Sequence, residues 1–153
     1  MIGLIMKGRQ RFKIYGAEVS DESVELPFIG KLPAGFASPA GDYLAESIDI
    51  NKLIIKNREY TFIGQVEGTS MFEASLNDGD FIIIDRSLDP RDNDKVLVCV
   101  DGEFTIKFVS VDKENKKIWL VPANAAFPKI ELSKESDVRI WGVVTYSITK
   151  HRG

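Results

Sequence analysis

The run Val96-Leu97-Val98-Cys99-Val100-Asp101-Gly102-Glu103-Phe104-Thr105-Ile106-Lys107-Phe108-Val109 carries the strongest structural signal in this chain. Two apolar, β-branched segments meet at Asp101-Gly102, a pair suited to a type I′ loop because both turn positions need positive φ. The run predicts a hairpin whose Val96 and Phe104 strands are antiparallel neighbours. Alternation in the second arm puts Phe104, Ile106 and Phe108 on one face and Thr105, Lys107 and Val109 on the other. A strand lysine is ordinarily solvated. Lys107 has apolar neighbours, however, and if its face is covered, desolvation favours a neutral amine able to serve as a general base.

On either side of the hairpin, strand periodicity is expected over 60–67, 80–85, 94–100, 103–112, 117–121, 129–132 and 138–149, with Asn, Asp, Gly and Pro clusters between the runs. The fold class read from this is mostly β. Upstream the pattern changes. Pro27, Pro33 and Pro39 with Gly30, Gly35 and Gly41 break up the stretch from Leu26 to Gly41, which reads as an extended, flexible arm. Asp42 to Leu53 suits one short helix capped by Asp42. The expected organisation is an arm over 1–41 followed by a β-rich domain over 42–153.

The chain has 153 residues, 44% hydrophobic and 28% charged, with net charge −3. This suits one soluble globular domain that buries roughly 70% of its unfolded surface without a metal or disulfide. One cysteine, Cys99, in an apolar run favours a reducing, cytoplasmic setting. No window reads as a membrane span, and the mild acidity argues against a large nucleic-acid footprint, so little or no direct DNA binding is expected. The single histidine, His151, lies in the terminal Lys150-His151-Arg152-Gly153, which disfavours histidine-based triads and most zinc sites.

Other candidate chemistry is sparse. Gly68-Thr69-Ser70-Met71-Phe72 follows an apolar strand and presents Ser70 where the strand ends, although Gly-x-Ser alone is usually just a turn. Asp85, Asp89, Asp92 and Asp94 lack the glycine of a calcium loop and read as solvated turn residues, so no metal and no cofactor are expected. Trp119 and Trp141, each inside an apolar strand, read as core anchors rather than a stacking platform for bases.

Five ordered segments then take on a common meaning: Glu67-Gly68-Thr69-Ser70-Met71, Leu76-Asn77-Asp78-Gly79-Asp80, Asp101 to Lys107, Val121-Pro122-Ala123-Asn124 and Trp141-Gly142-Val143-Val144. Together they resemble the LexA/UmuD family of self-cleaving serine peptidases, over about residues 32 to 149, with the UmuD branch nearest. The 37-residue interval from Ser70 to Lys107 matches the family's nucleophile-to-base spacing. The resemblance implies Ser70 as nucleophile, Lys107 as base and the backbone of Thr69 and Ser70 as oxyanion hole. It implies a cut between Ala34 and Gly35 inside Leu32-Pro33-Ala34-Gly35-Phe36, where this sequence has the Ala-Gly typical of LexA rather than Cys-Gly. The arm is too short and too broken for the DNA-reading domain that LexA carries.

The same resemblance implies a physiological setting. The chain is expected to be a homodimer, with strand 138–149 contributing to the interface. Cleavage is expected to be stimulated by a RecA–single-stranded DNA filament during the SOS response, and the shortened form to join a UmuC-type subunit of a translesion DNA polymerase. Two other readings stay open: an inert dimeric module that binds polymerase or RecA, and a truncated LexA-type repressor.

Overall fold

A computed structural model of the chain describes residues 22–35, 46–68 and 75–153. Contacts divide it into two compact units, one spanning Gly16–Lys56 and the other including Asn57–Gly153. In the first, strand β1 (Glu25–Pro27) pairs antiparallel with β2 (Ser47–Asp49), and the Phe28 amide continues the ladder to the Glu46 carbonyl at 3.0 Å. Helix α1 (Ile50–Ile54) follows directly. Its N-cap is Asp49, whose carboxylate accepts the Asn51 amide at 2.9 Å.

These local details correct two expectations. Asp42, the expected cap, lies outside the described residues; within the expected helical span Ser47–Asp49 is drawn into a ladder, and the chain turns helical, capped by Asp49, where that pairing stops. The Pro/Gly-rich stretch also contains strand structure at its start: Pro27 sits at the end of a three-residue edge strand, where its missing N–H costs no ladder bond.

The second unit is one seven-stranded sheet of β3 (Thr61–Gln65), β4 (Phe81–Asp85), β5 (Lys95–Val100), β6 (Glu103–Asp112), β7 (Lys117–Val121), β8 (Ile130–Leu132) and β9 (Val138–Ile148). All neighbours are antiparallel and the order is β3-β4-β9-β5-β6-β7-β8. The mostly β expectation holds, with strand ends within about two residues of those read from periodicity. The expected hairpin is also present: Val100 pairs with Glu103, and Asp101 and Gly102 have φ of 50° and 80°.

Each face of the sheet carries its own core. Val66, Leu76, Ile82, Ile84, Leu97, Ile106 and Trp141 pack on one side. Val96, Val98, Val109, Leu120, Val138 and Val143 pack on the other. Residues 96, 97 and 98 of β5 therefore alternate between two cores, which is why this strand reads as an unbroken apolar run rather than an alternating one. Ile130 and Leu132 of β8 join the second core together with Ile140 of β9, so the sheet curls and brings its last strand back beside the start of β9.

Strand β9 makes this curl possible. It pairs with β5 through its first half and with β4 through its second, and its register slips once against each, leaving Trp141 and Thr145 as the extra residues. Bulges increase local twist and bend the strand. At the first bulge, a Cβ added to Gly142 would lie 2.5 Å from Ile84 Cγ2 and 3.2 Å from Arg86 Cγ, so only glycine fits beside Trp141.

Candidate active site

Lys107 lies on β6 directly opposite Val96 of β5. Directly opposed residues share a face, so the Lys107 side chain projects on the side of the second core, next to the fully buried Val96 and two positions from the nearly buried Val109. Lys107 itself is half-buried. It forms no ion pair among the described residues. Val96 and Val109 give this face apolar neighbours beside the lysine. On its other edge β6 keeps β7 only as far as Phe108, which pairs with Val121. The chain then leaves the sheet at the buried Pro122, which has no N–H to offer.

Ser70 and Thr69 lie outside the described residues, as does the rest of 69–74. The residues on both sides of that segment are tightly fixed. The Val66 amide donates to the Asp80 carbonyl at 2.8 Å and the Gly79 amide donates back to the Val66 carbonyl at 2.7 Å. The Gly68 amide donates to Asp78 Oδ1 at 2.7 Å, and Gln65 Nε2 donates to the Gly79 carbonyl at 3.2 Å. Asp80, 2% exposed, accepts the Asn77 amide at 2.9 Å. Leu-Asn-Asp-Gly-Asp is thus a knot that ties the exit of β3 to the entry of β4. Val66 and Leu76 pack in the same core as Ile106, the residue preceding Lys107.

Ala34 and Gly35 are exposed, in the other unit, and a Cβ at Gly35 would meet nothing within 4 Å. The remaining sequence candidates resolve into supporting roles. Asp85 is not the solvated turn residue expected but is buried at the end of β4, where it accepts the Ser87 amide at 2.8 Å; Asp94 accepts the Arg91 amide within its turn at 2.8 Å, and Asp92 accepts the Val111 amide of β6 at 2.8 Å. Trp141 is a core anchor, meeting Phe62 and Phe104 edge-on at 4.9 and 5.4 Å. Trp119 is half-exposed instead, with Lys129 Nζ 4.2 Å from its ring centre. Among the described residues no helix is long and apolar enough to cross a membrane.

One residue escapes the sequence reading. Arg86 donates through Nε to the Trp141 carbonyl at 2.7 Å, and its guanidinium carbon lies 4.2 Å from the centre of the same indole. Burial pulls its pKa below the ordinary arginine value. The bond satisfies a carbonyl at the bulge, where β9 carries its extra residue. Gly142 inside an apolar strand is the available signal, since an isolated strand glycine marks a bulge or a close approach.

Comparison with known proteins bears on this arrangement. The Peptidase S24-like family model matches residues 27–145. The chain belongs to that family. Protein SamA of Salmonella typhimurium is 38% identical over 125 residues, covering 82% of this chain and 85% of SamA. Protein MucA of Escherichia coli is 32% identical over 128 residues, covering 82% and 86%. The LexA repressor of Desulfatibacillum aliphaticivorans is 30% identical over 128 residues, covering 82% of this chain and 62% of the repressor. The LexA/UmuD resemblance read from five short segments therefore extends over most of the chain. The family match spans Ala34-Gly35, the knot around Asp78 and Lys107 alike.

Proposed function

We propose that this chain is a UmuD-like, self-cleaving serine peptidase of the SOS response, with Ser70 as nucleophile and Lys107 as general base. Neutral Lys107 Nζ takes the proton of Ser70 Oγ as Oγ attacks the Ala34 carbonyl carbon. Backbone N–H groups of Thr69 and Ser70 hold the oxyanion. The Ala34–Gly35 C–N bond then breaks, protonated Lys107 gives its proton to the Gly35 nitrogen, and water hydrolyses the acyl ester on Ser70. Removing residues 1–34 from the 153 leaves a form of 119 residues.

The observation that carries this reading is the convergence on β6. Both flanks of the Ser70 segment, Val66 and Leu76, share a core with Ile106, while the adjacent Lys107 stands against buried Val96 with no described carboxylate paired to it. A lysine held this way can act as a base once deprotonated, whereas a partner carboxylate would keep it charged. The family resemblance supplies the physiological frame: stimulation by a RecA–single-stranded DNA filament, a homodimer, and delivery of the shortened form to a UmuC-type polymerase subunit. The second half of β9, paired only with β4, carries the exposed Tyr146 and Ile148 and suits the homodimer contact.

The test is intact mass over time for wild type, Ser70→Ala and Lys107→Ala at pH 7 and at about pH 10, where the neutral fraction of a lysine of ordinary pKa is several hundred-fold larger than at pH 7. Cleavage between Ala34 and Gly35 in wild type alone, faster at the alkaline pH, is the expected result. An intact wild type at both values, even with an activated RecA filament, overturns the catalytic reading.

A further inference from the structure

Among the described residues β1 and β2 form a sheet of two strands, each paired only with the other. A two-stranded ladder is marginal in water, and a third strand beside an apolar face is what steadies such a unit. The open positions on β1 follow from its pairing. The Phe28 amide bonds the Glu46 carbonyl, and bonded pairs alternate in an antiparallel ladder, so Leu26 also turns its backbone polar groups toward β2. Glu25 and Pro27 turn theirs outward. Pro27 has no N–H to offer, which confines the open edge to the residues before it.

The two faces of this small sheet differ. On one, Leu26 stands opposite Ile48, and Val24, Leu26 and Phe28 are all exposed. On the other, Glu25 stands directly opposite Asp49, a pairing of like charges that weakens a ladder. The partners of these two carboxylates are hydroxyls: Ser47 Oγ donates to Glu25 at 2.8 Å and Ser23 Oγ to Asp49 at 3.0 Å. Lys52 of α1 acts on Asp49 from beyond ion-pair distance, and Glu25 has no ion pair among the described residues. The excess of acid extends to the whole unit, since residues 16–56 hold seven acids against three lysines.

Residues 1–21 lie outside the described residues, and their sequence supplies the complement. Residues 1–15 hold Lys7, Arg9, Arg11 and Lys13 and no acid. The four cations fall at alternate positions, with Phe12 and Ile14 on the opposite parity, a pattern that gives an extended segment one cationic face and one apolar face. Residues 15–21, which include Gly16, Ser20 and Asp21, are enough to reverse the chain into β1 and too few for a parallel crossover.

We propose that residues 9–14 dock on the open edge of β1 as a third, antiparallel strand. Phe12 and Ile14 extend the apolar face of Leu26 and Ile48, while Arg9, Arg11 and Lys13 lie on the face of Glu25 and Asp49 and relieve the opposed carboxylates. The docking does not depend on cleavage. Under the proposed mechanism, the cut at Ala34–Gly35 removes this strand together with β1.

Amide exchange followed by NMR on the full chain tests the docking, with Ser70→Ala as the parent so that the chain stays whole. The reporter is the amide at position 25, which points away from β2, and the Phe28 amide is the reference. Position 25 should be protected in the parent. Arg9→Glu, Arg11→Glu and Lys13→Glu together should lower that protection about tenfold. Glu25→Arg alone should also lower it, and Glu25→Arg combined with the three reversals should restore most of it. An unprotected amide at position 25 in the parent, protection unchanged by the reversals, or no recovery in the combined variant would each overturn the proposal.

Discussion

The Gly68 amide donates to Asp78 Oδ1 at 2.7 Å, joining the last described residue before the Ser70 segment to the turn beyond it. Gly68 has φ of +90°, so its amide direction is set by a backbone conformation that few other residues adopt. Under the proposed mechanism, the bond makes Asp78 a positioning residue for the segment that carries Ser70. Asp78→Ala should slow self-cleavage about fivefold, corresponding to about 1 kcal/mol for one hydrogen bond, with little change in global stability. Asp78→Asn keeps an acceptor oxygen and should restore most of the rate. Intact-mass kinetics on the three proteins at one pH checks this; equal losses for Ala and Asn would sink the positioning role.

Gly142 has no room for a side chain. Gly142→Ala brings a methyl to 2.5 Å from Ile84 Cγ2, and overpacking of this kind costs about 1–3 kcal/mol. Ile84→Ala removes the clashing atom at the cost of a cavity. The double variant should therefore be more stable than the sum of the single losses, by about 1 kcal/mol or more in urea unfolding. Strict additivity would show that the contact relaxes without strain.

Arg86 joins Trp141 by a hydrogen bond and by stacking, and lysine can reproduce neither the Nε–H geometry nor the planar face. Arg86→Lys should cost about 1–2 kcal/mol, seen as a lower urea midpoint at unchanged m-value. Trp141 fluorescence in the native state should shift as the cation leaves the ring. A variant as stable as wild type would assign the guanidinium no structural role.

Asp112 lies at the β6–β7 turn, where the Asn115 side chain and amide both donate to its carboxylate, at 2.8 and 3.1 Å. The Asn115 side-chain bond, followed by its backbone bond, holds the Asp112 pKa below the ordinary carboxylate value. A depressed folded value means that the unfolded chain binds the proton first. The contribution is therefore complete above the unfolded pKa and is lost as pH falls through the folded one, below about pH 4. Asp112→Asn should flatten the fall of stability with acid in that window. A carboxyl-carbon NMR titration of Asp112 with an ordinary midpoint would contradict the assignment.

Strands β3 to β9 are legible in the sequence because their information is local. Side-chain alternation and turn chemistry act over two to six residues, and Asp101-Gly102 needs no tertiary help to prefer positive φ. The helix start is not legible, for a related reason. Asp49 is one of several possible caps by residue type, and the pairing of Ser47–Asp49 with Glu25–Pro27 sets where Ile50–Ile54 can turn helical.

Residue type and spacing along the chain are enough to specify the strand set, the Asp101-Gly102 hairpin, the family and the pair Ser70 and Lys107 as candidates. What surrounds those residues depends on tertiary structure. Val96 stands opposite Lys107, Asp78 ties down Gly68, Arg86 reaches Trp141 across 55 positions, and β8 returns to β9 without pairing. Those are contacts between distant segments, set by the sheet order and by two single-residue slips in β9, and no periodicity along the chain encodes them.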